Sequence, residues 1–146
     1  MTIFIGADHR GLELKNALLE YLHEKNIRIE DLGAYEHDPL DDYPDFAQKV
    51  AQAVLQNPEE FLGIAICGSG CGVTMAANRS RGIRAGLAMN ESMAKHLREN
   101  DHVNFLTLAS DYLKVEEAER IVDIFLAARP IMDEKYLRRV RKLDNL

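Results

Sequence analysis

Cys67 and the glycines after it are the residues best suited to chemistry in this sequence. The stretch FLGIAICGSGCG, Phe61 to Gly72, runs apolar up to a thiol and then into Gly68, Gly70 and Gly72. Glycines at that spacing let the backbone turn sharply and present N–H groups, and a helix starting just beyond adds partial positive charge. A thiol beside such donors can handle a proton while the amides hold the charge that results. Cys67 alone reads as a nucleophile, a metal ligand, a proton-transfer base or a core residue at a strand end. Metal binding is disfavoured, because Cys67 and Cys71 lack the paired spacing of a zinc site. The loop also differs from a nucleotide cradle: it offers G-S-G-C-G instead of G-x-G-x-x-G, follows the third strand and lacks the P-loop lysine. Asp8 and His9 form a second group at the end of the first apolar run, and Gly11 permits the turn that would bring both to one ligand. The local alternative is a helix cap by Asp8 beside a solvated His9.

Positioning these groups falls to alternating strand and helix signals. Strands are predicted over Thr2 to Ala7, Ile27 to Leu32, the run ending at Cys67, Ile83 to Ala88, and Phe105 to Ala109. Leu14, Leu18 and Leu22 place an apolar stripe on one helix, and Phe46, Val50 and Val54 on another. Further helices are expected near Glu91 to Arg98, over Val115 to Ala128, and from about Asp133. Repeated βα units predict an α/β fold with a five-stranded parallel sheet and helices on both faces. Ligands of such sheets sit beyond the carboxyl ends of the strands, where Asp8, His9, Arg10, the Cys67 loop, Met89, Asn90, Ser110 and Asp111 all fall.

The composition narrows the function classes. A length of 146 residues with no internal repeat or linker fits a single domain spanning 1–146. A net charge of −6 argues against a nucleic-acid surface, and no apolar run is long enough for a membrane span. Two cysteines and no signal-peptide pattern predict a cytoplasmic protein. The charge is uneven: Arg129, Lys135, Arg138, Arg139, Arg141 and Lys142 outnumber Asp133, Glu134 and Asp144 in the tail. That tail is either an anion clamp or a solvated amphipathic helix.

Four segments in order, GADHRG at Gly6 to Gly11, DDYPDFA at Asp41 to Ala47, ICGSGCG at Ile66 to Gly72 and AANRSRGIRA at Ala76 to Ala85, resemble the ribose-5-phosphate isomerase B family, which includes the galactose-6-phosphate isomerase subunits. The resemblance implies a three-layer α/β/α Rossmann-like fold, a homodimer or homotetramer with shared active sites, and no metal or organic cofactor. It implies a C-terminal helix, about 133–146, at a subunit interface. The implied reaction is aldose–ketose isomerisation of a sugar phosphate through a cis-enediolate. Cys67 would be the base, Ser69 would position it or the sugar, and amides from Gly68 through Gly70 to Gly72 would stabilise the enediolate. Asp8 would bind sugar hydroxyls, His9 and Arg139 the phosphate, and Tyr43 would line the neighbouring site across the dimer.

The sequence departs from that pattern at several positions. Asn100 and Asp101 stand where members that isomerise ribose 5-phosphate show His-Asn, with His102 displaced by two residues, so ring opening would pass to another group such as His102 or His9, or the substrate would open unaided. Asp111 stands where many members carry a phosphate-site arginine, and a carboxylate there repels phosphate unless it faces away. Lys135 lies near another usual arginine. The function expected is isomerisation of ribose 5-phosphate or a related pentose or hexose phosphate. The departures fit an isomerase whose substrate differs from ribose 5-phosphate, a six-carbon sugar phosphate or a less charged sugar, or alternatively a non-catalytic sugar-phosphate-binding or partner subunit of the same fold.

Overall fold

Isoleucine-rich runs form the central strands because both faces of the sheet are covered, so no alternating polar face is required. Ile3, Ile5, Ile64, Ile66, Leu106 and Leu108 are all fully buried. The computed structural model describes residues 1–146. Its strands are β1 (Thr2–Ala7), β2 (Ile29–Asp31), β3 (Phe61–Cys67), β4 (Ala85–Leu87) and β5 (Phe105–Ala109). Its helices are α1 (Leu12–Glu24), α2 (Tyr43–Leu55), α3 (Cys71–Ala77), α4 (Glu91–Asn100), α5 (Val115–Ala127) and α6 (Glu134–Asp144).

The strands form one parallel sheet in the order β2-β1-β3-β5-β4. Helices α1, α4 and α5 pack their apolar stripes on one face, through Leu18, Leu22, Ala94, Ile121 and Phe125. Helices α2 and α3 cover the other face through Val50, Val54, Val73 and Ala77. This is the expected three-layer α/β/α arrangement with five parallel strands. The edge strands β2 and β4 are shorter than the apolar runs suggested, three residues each, because each pairs with a single neighbour. No helix is long and apolar enough to cross a membrane.

Helix α6 stands apart. It buries none of its residues and is tied down at its two ends: Ile131 N–H donates to Glu99 O at 2.9 Å, and Arg84 Nη1 lies 2.8 Å from Asp144 Oδ1. Arg84 leads into β4 and Glu99 closes α4, so α6 lies at the amino edge of the sheet.

Candidate functional site

The strand order reverses between β1, which pairs with β2 on one side, and β3 on the other. A crevice must open there at the carboxyl ends, because the chain leaves the two strands toward opposite faces. The Asp8–Gly11 loop forms one wall. Asp8 Oδ1 accepts hydrogen bonds from the N–H groups of Arg10 and Gly11, both at 3.0 Å, folding the chain back on itself. A Cβ on Gly11 would stand 2.6 Å from the carbonyl oxygen of Ile66, so the absence of a side chain lets this loop lie against the residue preceding Cys67. Burial pushes the Asp8 carboxyl above its ordinary range, opposed by the amide of Gly11 and the neighbouring His9.

His9 is held by a residue far away in sequence. Its Nδ1 lies 2.5 Å from Asp41 Oδ1, and its backbone N–H donates to the same oxygen at 3.1 Å. The Asp41 side chain is only 10% exposed, and its Oδ2 has no hydrogen-bond partner. Asp8, His9 and Asp41 bring ligand-capable atoms within 4.8 Å of one another, the one such group in the chain. Asp8 Oδ1 is committed to amides and His9 Nδ1 to Asp41, and Asp41 Oδ2 is buried, so these contacts build a hydrogen-bonded wall and leave Asp8 Oδ2 and His9 Nε2 for a ligand.

The Cys67–Gly72 loop forms the facing wall. Cys67 is 4% exposed and joins the apolar cluster beneath α2 and α3. Its carbonyl accepts from Ser110 N–H at 3.0 Å and Ser110 Oγ at 3.2 Å, and Gly68 O accepts from Asp111 N–H at 3.0 Å. Gly70 adopts φ +73°, a conformation costly for any other residue. Ser69 Oγ accepts from Cys71 N–H at 3.3 Å. The N–H groups of Gly68, Ser69, Gly70 and Gly72 make no hydrogen bond within the chain. They are the donors an oxyanion would use. Tyr43 begins α2 beside Pro44, a residue pre-organised for a first helical turn, and its ring lies 2.8 Å from where a Cβ of Gly72 would stand. The tyrosine thus lines the glycine loop of its own chain.

Asp111 does not stand alone at the crevice. Its Oδ2 is hydrogen-bonded to Arg10 Nη2, and both groups lie directly over Gly68. The repulsion expected from a bare carboxylate is therefore matched by a guanidinium.

The remaining predicted site residues are elsewhere in the chain. Asn100 ends α4, with its side chain 3.1 Å from His96 Nδ1. His102 precedes β5, is buried, and donates from Nε2 to Ile131 O at 2.9 Å. Lys135 and Arg139 project from α6. All four sit toward the amino edge, separated from Cys67 by the length of β5, about 13 Å at strand rise. A concavity of about 910 Å³ lies between Phe4, Arg28, Glu30, Lys49 and Phe61 and includes none of the Cys67 loop. Sequence reasoning assigned no role to Asp41 or Ser110. Asp41 sits in the DDYPDFA segment, whose position just before α2 was the available signal.

Residues 3–143 match the Ribose/Galactose Isomerase family. A probable ribose-5-phosphate isomerase B of Mycoplasma pneumoniae is 46% identical over 127 residues, covering 87% of this chain and 83% of that protein. Its counterpart in Mycoplasma genitalium is 43% identical over 142 residues, covering 97% and 93%. A solved structure of the Mycoplasma genitalium enzyme with bound ribulose 5-phosphate is 42% identical, covers 99% of this chain and 94% of that one, and superposes with a TM-score of 0.95. Ribose 5-phosphate isomerase from Thermotoga maritima is 41% identical, with a TM-score of 0.93 and coverage of 99% and 98%.

Proposed function

The chain belongs to the ribose/galactose isomerase family, an aldose–ketose isomerase of sugar phosphates, and we propose that its own reaction interconverts ribose 5-phosphate and ribulose 5-phosphate. The observation that carries this reading is the crevice between β1 and β3, where a thiol adjoins unbonded amides and faces Asp8, His9 and Asp41. In the aldose direction the Cys67 thiolate takes the proton from C2, and the electron pair left behind moves into the C1–C2 bond. Charge then builds on the carbonyl oxygen at C1, where the amides from Gly68 to Gly72 face it. Return of the proton from Cys67 to C1, with the O2 hydroxyl proton passing to the oxyanion at O1 as C2=O forms, leaves the ketose. The sulfur lies at the margin of an apolar cluster, so little water competes for the proton in transit. Ser69 and Asp8 hold the sugar hydroxyls, and Tyr43 closes one side.

His9 contacts the phosphate through Nε2. Arg139, with Lys135 beside it on α6, is proposed to reach that phosphate from a second copy of the chain, because both lie at the amino edge of their own sheet. A homodimer accounts for three otherwise separate features: the unburied α6, its half-covered Tyr136, Leu137 and Val140, and the exposed Leu40, Met75 and Tyr112 around the crevice. Both cysteines are free, which suits a reducing cytoplasm.

The test is turnover of ribose 5-phosphate, allose 6-phosphate and galactose 6-phosphate by purified protein, with Cys67→Ala as control. Preferred turnover of ribose 5-phosphate, reduced about 10²- to 10⁴-fold in the control, is expected for a proton-transfer base. A hexose phosphate as the preferred substrate would overturn the pentose assignment. Silence from folded protein across the panel would make the chain a binding or partner subunit.

A further inference from the structure

The loops at the carboxyl edge are strongly acidic. Those following β1, β2 and β5 carry Asp8, Glu36, Asp38, Asp41, Asp42 and Asp111, and against them the five carboxyl-edge loops offer two permanent cations, Arg10 and Lys114. Lys114 caps α5, where its backbone N–H donates to Glu117 Oε2 at 2.8 Å. Arg10 is placed differently. A Cβ built on Gly68 would stand 2.6 Å from Arg10 Nε, 2.7 Å from its Cζ, and 2.8 Å from Asp111 Oδ2. The guanidinium therefore lies over the Cα of Gly68, the residue that follows Cys67.

Its seat is built by three loops. Ser110 Oγ lies 3.0 Å from Arg10 O and 3.2 Å from Cys67 O, so one hydroxyl links both crevice walls. Asp8 Oδ1 fixes the Arg10 backbone N–H, and Asp111, itself anchored through its N–H to Gly68 O, grips the guanidinium at Nη2. Asp111 occupies one edge of a planar five-donor fork. Nη1 and Nε have no partner in the chain, and the side chain is 58% exposed.

We infer that Arg10 is a substrate-binding residue, supplying from within the same chain a guanidinium contact to the sugar phosphate's anionic group, with Asp111 orienting it. This rests on the sugar-phosphate reading above. It gives the aldose–ketose site a cation from its own chain, where Lys114, the other cation of this edge, stands at the start of α5, and it gives Asp111 a task beside an anion. A second possibility for the pair is mutual neutralisation, Arg10 serving only to cancel Asp111.

The two roles separate in a binding experiment. Calorimetric titration of ribulose 5-phosphate into full-length Cys67→Ala protein gives a dissociation constant without turnover. Adding Arg10→Gln should weaken binding about ten- to a hundredfold, the range for a lost charge-assisted hydrogen bond. The triple variant that also carries Asp111→Asn restores the local net charge. If it stays weak, Arg10 contacts the ligand; if it recovers full affinity, Arg10 was only neutralising Asp111 and the inference fails. Unchanged affinity in Cys67→Ala/Arg10→Gln, with an unchanged melting temperature, also overturns it. Wild-type turnover is measured in parallel. Protein that neither turns over ribose 5-phosphate nor binds ribulose 5-phosphate would bring down the isomerase reading itself, together with this inference.

Discussion

His9 Nδ1 and Asp41 Oδ1 stand 2.5 Å apart across a gap of 32 residues in sequence. A carboxylate can only accept, so the proton lies on Nδ1 and the outward nitrogen of the ring is Nε2. Asp41 thereby fixes ring orientation and tautomer at once. Asp41→Asn is expected to raise KM for ribose 5-phosphate about tenfold, a loss near 1.4 kcal/mol, with a smaller fall in kcat. Steady-state kinetics check this, and a kcat loss with unchanged KM would move Asp41 from holding a phosphate ligand to supporting the chemical step.

Asp8 offers a pH test with a definite sign. Its folded-state pKa is raised above 3.8, chiefly by burial, so the folded protein binds this proton more tightly than the unfolded chain. Stability from this group is fully present below 3.8 and is lost as pH rises through the folded value. Asp8→Asn keeps an oxygen for the Arg10 and Gly11 amides and removes the titration. The melting temperature of the variant relative to wild type should therefore be higher at pH 7 than at pH 3. A difference independent of pH would show that burial of this carboxylate costs the fold nothing, and substrate affinity should fall in the variant either way.

Ring opening can be assigned by comparing the two reaction directions. Ribose 5-phosphate must open a furanose, whereas ribulose 5-phosphate has its C5 hydroxyl esterified and stays open-chain. His102 is committed to Ile131 O inside its own subunit, while His9 stands at the crevice. His9 Nε2 is assigned to the phosphate, so His9→Asn is expected to weaken both directions alike, about tenfold or more, and a loss confined to the aldose direction would move His9 from the phosphate to ring opening. His102→Asn suits the left-handed φ of +51° and should retain both directions. Selective loss of the aldose direction in His102→Asn would hand the ring-opening role to His102 of a second copy.

The parts of this molecule legible in sequence are those set by local pattern. β1, β3 and β5 were readable because strands covered on both faces need unbroken apolar runs, and the glycine loop because its spacing is unusual. The polar partnerships were not, since each joins loops distant in sequence. Lys15 shows the limit well. It lies in the apolar stripe of α1 and is fully buried, a placement possible because Asp31, at the end of β2, receives its ammonium at 2.6 Å. Neither residue signals the other. Arg10 and Asp111 are the same case at the site, where the sequence predicted repulsion and the packed loops supply a pair. The distance between the Cys67 loop and α6 is set by the length of the sheet, so the proposed site, with Cys67 and Arg139 together, draws on two copies of the chain.

The proposed shared site has a direct consequence for mixed protein. Cys67→Ala leaves α6 intact, and Arg139→Ala leaves the glycine loop intact, so each homodimer is defective at both of its sites. In a heterodimer one site takes Cys67 from one chain and Arg139 from its partner, both wild type, while the other site takes both defects. Unfolding and refolding an equal mixture should yield half heterodimers, and with one sound site in each the activity should recover to about a quarter of wild type. Sedimentation should show a dimer or larger for each variant. If the mixture is no more active than the mean of its components, Arg139 does not cross to the neighbouring crevice and the phosphate must be held by the chain's own His9 and Arg10.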